Sequence, residues 1–364
     1  MPPNPVLVDV VLPEIVDAAG TEVRIRDAVL GGEYGERLLA IDLIARVPFE
    51  ARRGFPVFRF AEAMTRHTGE VDVYHLGRFK GLGSRHNVQH WGCSAKQLRI
   101  STCAYRRFYY FLTADERTGD LMRELVGADE AFLTLDPIRK VRKTPIPPPR
   151  RDAASVGFGT DWGSLAYAWL TEWERTGDTR IRDKLLAGMR TIGAQPHGFL
   201  TGGQTFNLDT GEFSIGKPDD INVSHLSAVF GLPEVCAELI SLVDMPSFRD
   251  AWLQYCILYN ATADEQRAAV GADFGKLNLE EAHSRLTAYA AKTKKDPVLA
   301  ARAWKEFYSG KAGLGVRTEL SSRRISGPAV LNPVEENFGL STNASSQWGL
   351  AAISLLALGG DPAP

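Results

Sequence analysis

The sequence predicts a mainly α fold: an α/α toroid, built as an incomplete six-hairpin-like barrel and preceded by a short β segment. Three observations carry this. Helical stretches come in pairs separated by turn signals from about residue 91 onward, the starts of the first helices of successive pairs resemble one another, and the opening residues alternate in strand fashion instead.

The β segment comes first. Val6-Leu7-Val8-Asp9-Val10-Val11, Glu22-Val23-Arg24-Ile25-Arg26 and residues 38–47 read as strands, with Gly31-Gly32 and Gly54 at turns. A segment of roughly 60 residues is too short to close a sandwich or barrel alone, because each strand buries one face and needs a partner layer. It reads as the remnant of a larger β-sandwich region, so residues 1–75 are taken as a β segment and residues 76–364 as the toroid.

Within the toroid, a helix over 91–112 runs into Thr113-Ala114-Asp115 and a second helix over 116–125. A helix over 162–174 runs into Arg175-Thr176-Gly177-Asp178 and a second over 179–192. The same layout recurs at 224–242 with 247–260 and at 282–292 with 297–308, while a last helix over 346–358 has no outer partner. Asn87-Val88-Gln89-His90-Trp91-Gly92 is echoed by Asn222-Val223-Ser224-His225-Leu226. A polar-Trp-Gly step recurs in His90-Trp91-Gly92, Asp161-Trp162-Gly163 and Gln347-Trp348-Gly349, with Ala282-His283-Ser284 at the same phase. The spacing of about 60 to 70 residues suits a helix pair plus a long loop. If such hairpins close into a ring, the first helices line the hole and their N-termini share one mouth. That mouth would collect Arg85, His86, His90, Asp161, Trp162, His225, His283, Gln347 and Trp348: indole faces for pyranose C–H surfaces, and donors for hydroxyls and carboxylates.

Composition bounds the rest. A chain of 364 residues with 44% hydrophobic content can bury a large core, and a net charge of −2 does not give the positive field of a nucleic-acid binder. No run of 18 apolar residues occurs and residues 1–4 open no signal peptide, so the chain as written reads as cytoplasmic and without membrane association, with localisation and export left open. Cys93, Cys103, Cys236 and Cys256 lack metal-ligand spacing and read as reduced buried thiols. The segment Arg139-Lys140-Val141-Arg142-Lys143-Thr144-Pro145-Ile146-Pro147-Pro148-Pro149-Arg150-Arg151 reads as an extended strut, or as a basic lip for a polyanion.

The stretch Tyr74-His75-Leu76-Gly77-Arg78-Phe79-Lys80-Gly81-Leu82-Gly83-Ser84-Arg85-His86-Asn87-Val88-Gln89-His90-Trp91-Gly92 resembles the rhamnogalacturonan exolyases of bacteria and fungi. Asp161-Trp162-Gly163-Ser164-Leu165, Leu170-Thr171-Glu172-Trp173-Glu174-Arg175-Thr176-Gly177-Asp178, and Thr342-Asn343 through Gln347-Trp348 are similar to the same family. The likeness covers the chain from about residue 40 onward. It implies a C-terminal α/α toroid that normally follows a β domain and a β-sandwich, most of which this chain lacks; a missing β-rich domain or subunit is therefore an expected partner.

The resemblance also implies β-elimination at galacturonate in an acidic polysaccharide. That chemistry needs a neutraliser for the C5 carboxylate, a base for the C5 proton and an acid for the leaving O4. Arg85 and Asn87 are the candidate carboxylate clamps, His86 or His90 the base and Tyr109 the acid, with Lys96, Asp161, Trp162, His225, Gln347 and Trp348 as candidate substrate contacts. The residues leave other readings open: His90 and His225 as helix caps, Tyr105 and Tyr109 as core, Trp162 and Trp348 as wedges between hairpins. No metal or other cofactor is expected. Calcium at Asn207-Leu208-Asp209-Thr210-Gly211-Glu212 and Asp219-Asp220 is the alternative to a plain hairpin tip there. The rival enzyme is a six-hairpin-type glycoside hydrolase using Asp161 with Asp220 or Glu172; the rival non-enzyme is a truncated carbohydrate-binding chain.

Overall fold

The computed structural model describes residues 10–16, 22–25, 83–84, 96–97, 103–133, 149–224, 231–277, 279–309, 321–328, 334–338 and 342–359. The backbone groups into two compact units, one of residues 58–277 and one of residues 1–57 with 278–364. The sequence boundary at residues 75/76 falls inside the first of these, among residues not described.

In the unit of residues 58–277 the helices are α1 (Cys103–Thr113), α2 (Glu116–Val126), α3 (Thr160–Thr176), α4 (Thr179–Gly193), α5 (Leu232–Leu242), α6 (Pro246–Leu258) and α7 (Ala263–Val270). Their ends follow local chemistry. Asp115 caps α2 by accepting from the Thr118 N–H at 2.7 Å, and Asp178 caps α4 by accepting from the Arg180 N–H at 2.8 Å. Thr262 and Glu265 form a reciprocal capping box on α7, and α5 and α6 carry proline in their first turn. The Thr-Gly-Asp turn between α3 and α4 works because Gly177 sits at φ +70°, where a side chain is strained, and its N–H returns to the Trp173 carbonyl at 2.8 Å.

The packing is two-layered. α1 lies against α3 and α3 against α5, while α4 lies against α6, so first helices neighbour first helices and second helices neighbour second helices. Burial agrees: every residue from Trp162 to Thr171 of α3 is buried, the mark of a helix covered on all sides, whereas α4 buries one stripe, Leu185, Ala187, Gly188, Met189 and Ile192. Gly163 lets α5 approach, since a Cβ there would meet Leu232 at 3.0 Å. Between the layers Phe199 packs edge-on to Trp162, Phe248, Trp252 and Tyr255 at centroid distances of 5.2 to 6.2 Å.

Strands β5 (Ala154–Gly157) and β6 (Gly203–Phe206) form an antiparallel ladder pairing Ala154 with Phe206 and Gly157 with Gly203, directly ahead of α3. The short strands β3 (Gly83–Ser84) and β4 (Lys96–Gln97) also pair. This corrects the first expected helix: residues 96–97 are strand and α1 starts only at Cys103, so the stretch over 91–112 is not one helix. The apolar spacing was read too far upstream, across residues that pair as sheet. α7 was not expected at all, and residues 225–230 of the expected helix over 224–242 are not described.

The other unit contains α8 (Glu280–Lys294), α9 (Pro297–Phe307) and α10 (Thr342–Gly359), each packed on the other two. It also holds the antiparallel pairs β1 (Val10–Val16) with β2 (Glu22–Ile25) and β7 (Ser321–Ile325) with β8 (Val334–Phe338). α8 repeats the behaviour of α3: residues 281–288 are all buried. Ala288, Ala303, Phe307, Ala351 and Leu355 make the small core. No described helix is long and apolar enough to cross a membrane.

Candidate functional site

The expected mouth is most fully described where β5 runs into α3. Gly159 precedes α3 without a side-chain cap, leaving its first N–H groups at the positive end of the helix dipole. Asp161, in the first turn, is half-buried, and one of its carboxylate oxygens stands 3.7 Å from where a Cβ on Gly157 would lie. Opposite Gly157 the chain turns through Gly202 at φ +86°, where an added Cβ would sit 2.1 Å from the Asn222 carbonyl oxygen. Glycine there permits the contact that draws residues 220–224 against the ladder, a placement secured by Asn222 N–H donating to the Leu200 carbonyl at 2.9 Å.

Gln204 follows on the same ladder, paired with Val156. Its Nε2 donates to Asp220 Oδ2 at 2.9 Å, and the Lys217 N–H donates to the same oxygen at 2.8 Å. These two donors, the backbone one first, hold the Asp220 carboxyl below its ordinary value, so it is an anion and an acceptor at neutral pH. Gln204 and Asp220 thus meet near the Gly157–Gly203 end of the ladder, with Asn222 and Ser224 exposed on the same segment as Asp220, while Asp161 stands against Gly157 at that end. The sequence reading missed Gln204; the Gly202-Gly203 pair just before it, a sign of close backbone approach, was the available signal.

The other predicted residues fare differently. Arg85, His86, Asn87, His90 and His225 lie outside the described residues, and of Lys96 only the backbone, paired with Ser84 in β3–β4, is described. Tyr109 is 8% exposed and lies in the core on the C-terminal half of α1. Trp162 is fully buried, with Phe199 at 6.2 Å and Phe248 at 5.7 Å against its rings and Gly188 of α4 against its edge. Both are therefore packing residues in this structure, because a sugar cannot stack on a ring whose faces are covered. In the other unit, Gln347 is buried, Trp348 is 40% exposed with its ring 5.1 Å from Phe307, and His283 is buried with Nδ1 2.8 Å from the Leu279 carbonyl.

Residues 207–212 form the hairpin tip. Phe206 and Phe213 are bridged, Asn207 N–H donates to the Glu212 carbonyl at 2.9 Å, and Asn207 Oδ1 accepts from the N–H groups of Asp209 and Thr210. Asp209 pairs with Arg151 at 2.5 Å and Glu212 with Arg190 at 3.0 Å. Arg151 also holds Glu130, and Arg150 holds Asp152, so the two arginines closing the basic segment are already paired. Glu172, a candidate hydrolytic carboxylate, lies near the opposite end of α3 against Arg175 at 3.3 Å and Arg123 at 3.7 Å. Among the described residues no group of three or more His, Cys, Asp or Glu is placed to hold a metal. Cys103, Cys236 and Cys256 are free and buried, and burial pushes their thiols up, Cys103 to about 12.

Paired helices in two layers, with the first helix of a pair buried all round, define an α/α toroid domain. The family described as "PcRGLX-like protein C-terminal alpha/alpha toroid domain" matches residues 52–364, and the chain belongs to that family. It is also similar to "Uncharacterized protein YetA" of Bacillus subtilis (strain 168), 36% identical over 312 residues that cover 85% of this chain and 35% of that protein. The chain thus spans about a third of the length of the curated relative it matches.

Proposed function

We propose that this chain is the toroid of a polysaccharide lyase that cleaves the rhamnosyl-galacturonate backbone by β-elimination. The observation that carries the reading is membership of the PcRGLX-like toroid family over residues 52–364, with the Gly83-Ser84-Arg85-His86-Asn87 loop within the matched span. In this reading Arg85 and Asn87 bind the galacturonate C5 carboxylate and draw charge from the C5–H bond. His86 or His90 takes the C5 proton. The electrons of that bond form the C4=C5 double bond while the C4–O4 bond breaks toward the departing sugar, whose oxygen takes a proton from a second acid. Since Tyr109 is buried, that acid is sought among the histidines of the mouth. Asp220, with Gln204 bonded to it, and Asp161 supply hydroxyl contacts.

A β-rich domain or subunit is the partner this reading calls for, and the relative extends well beyond the matched region. The test is incubation of the chain, alone and with such a region joined to it, with rhamnogalacturonan oligosaccharides. Ultraviolet absorbance from the unsaturated uronate is expected; a new reducing end without absorbance overturns elimination. Arg85→Ala is expected to abolish the signal with circular dichroism unchanged.

A second reading is favoured by one observation: Asp161 stands against Gly157 and Asp220 is bonded to Gln204, residues near the same end of the β5–β6 ladder. Two carboxylates across one glycosidic bond are what a hydrolase uses. The low proton affinity of Asp220 fits a base and not an acid, so Asp161 would have to be the proton donor. The same assay separates the two, and binding without any turnover would leave a carbohydrate-binding chain.

A further inference from the structure

At the end of α3 remote from Asp161, the last turns of α1 and α3 and the side of α2 enclose an open cleft of about 460 Å³ lined by Tyr110, Phe111, Arg123, Glu174, Arg175 and Thr176. Fifteen residues separate Asp161 from Thr176, about 22 Å of helix, so the cleft is distinct from the candidate mouth. The volume is that of a small-ligand site.

Its walls are fixed. Arg175 donates through Nη1 to the Gly119 carbonyl at 2.9 Å and lies over the Tyr110 ring at 4.7 Å, so it is a strut between α2 and α1. Thr176 turns its hydroxyl to the Glu172 carbonyl at 2.7 Å, and Glu174 is held by Arg107 through Oε2, its Oε1 carrying no hydrogen bond among the described residues. Three groups remain for a ligand. Phe111 is 53% exposed, a large aromatic face left in water. Arg123 is 58% exposed, and its nearest carboxylates, Glu172 at 3.7 Å and Asp120 at 3.9 Å, stand beyond hydrogen-bond reach. The third is the free edge of Glu174.

We propose that this cleft is a second carbohydrate site, selective for a uronate residue. An aromatic face takes the C–H surface of a pyranose, the Arg123 fork takes a carboxylate, and Glu174 accepts from ring hydroxyls. The negative ends of α1 and α3 point toward the cleft. They disfavour a bare inorganic anion and favour a ligand that brings hydroxyl donors along with its single charge. The site is independent of the lyase reading, because none of its groups belongs to the proposed elimination machinery. It would hold an acidic chain on the face away from the mouth.

The test is calorimetric titration of the whole chain with digalacturonate, with its neutral counterpart galactobiose and with inorganic phosphate, for wild type, Arg123→Ala and Phe111→Ala. Both side chains are more than half exposed, so the variants are expected to melt like wild type. Each variant is expected to lose one digalacturonate equivalent, or to weaken it at least tenfold, with β-elimination rates unchanged. Identical stoichiometry and affinity in all three proteins, no digalacturonate binding by wild type, or galactobiose or phosphate binding as tightly as digalacturonate would each overturn the proposal. Failure of the lyase reading shows separately, as absent ultraviolet absorbance.

Discussion

Replacing Trp162 distinguishes a wedge between helices from a sugar platform, and the structure fixes the size of the effect. The side chain is fully buried between Phe199, Phe248 and α4, and its Nε1 has no hydrogen-bond acceptor among the described residues. Trp162→Ala removes most of an indole and leaves a cavity, which costs about 3–5 kcal/mol, a large part of a domain's stability. Trp162→Phe is different. It gives up roughly 50 Å² of apolar contact, about 1.3 kcal/mol at 25 cal/mol per Å², but it also removes a buried N–H whose missing partner costs about 1–3 kcal/mol. The net change is expected to lie between about 0.3 kcal/mol destabilising and about 1.7 kcal/mol stabilising.

Gly188 sharpens the test. A Cβ on Gly188 would lie 2.5 Å from Trp162 Nε1, the very atom Trp162→Phe deletes. Gly188→Ala alone is expected to destabilise by about 1–3 kcal/mol through overpacking. In the Trp162→Phe background it should be neutral, or stabilising by up to about 1 kcal/mol through reduced backbone freedom in the unfolded chain. Urea unfolding followed by circular dichroism on the four proteins closes the cycle, and digalacturonate affinity is expected to be unchanged by Trp162→Phe. A coupling energy under about 0.5 kcal/mol would refute the contact; loss of sugar affinity in a fully folded Trp162→Phe would refute the wedge.

Three further outcomes follow from the site and its surroundings. Gly202→Ala places a Cβ 2.1 Å from the Asn222 carbonyl at φ +86°, so a loss of at least about 2 kcal/mol in urea unfolding is expected, with activity falling as residues 220–224 are displaced; wild-type stability would contradict the geometry. Because the folded value of the Asp220 carboxyl is depressed, its contribution is fully present above the ordinary carboxylate value of 3.8 and is lost as pH falls through the folded value; amide exchange at Lys217, corrected for intrinsic rate, should therefore rise on acidification below that value in wild type and be already fast at neutral pH in Asp220→Ala. Cys103, Cys236 and Cys256 should resist thiol reagents at pH 8 in the folded chain and react on unfolding, since burial suppresses their thiolates; rapid labelling of any of the three in the native state would show that its burial is wrong.

The hairpins were legible because their signals act within one turn of the chain. Asp115, Asp178 and Asp296 each satisfy helix N–H groups two or three residues ahead, and Gly177 supplies the left-handed residue that ends α3. Such rules fixed the bounds of α2, α3, α4, α6, α8 and α9 to within a residue or two. They failed at α1, where apolar spacing continued upstream into residues that pair as β4, and at α7, whose capping box Thr262-Ala263-Asp264-Glu265 was present but unread. Of the site, the amino-acid types of Asp161 and Asp220 were legible, but the bond from Gln204 to Asp220 and the place of Asp161 beside Gly157 depend on a ladder whose strands lie more than 40 residues apart.

What the sequence determined by itself was the rhythm: paired helices, their caps and their repeated polar-Trp-Gly starts. What only tertiary structure decided was the meaning of each copy. In Asp161-Trp162-Gly163 the indole is sealed and the glycine admits Leu232 at 3.0 Å, whereas in Gln347-Trp348-Gly349 the indole is 40% exposed and no described atom lies within 4 Å of where a Cβ on the glycine would be. The local sequence is nearly the same, so the difference comes from the helices that arrive from elsewhere in the chain to cover one indole and leave the other in water, and burial is set by those neighbours.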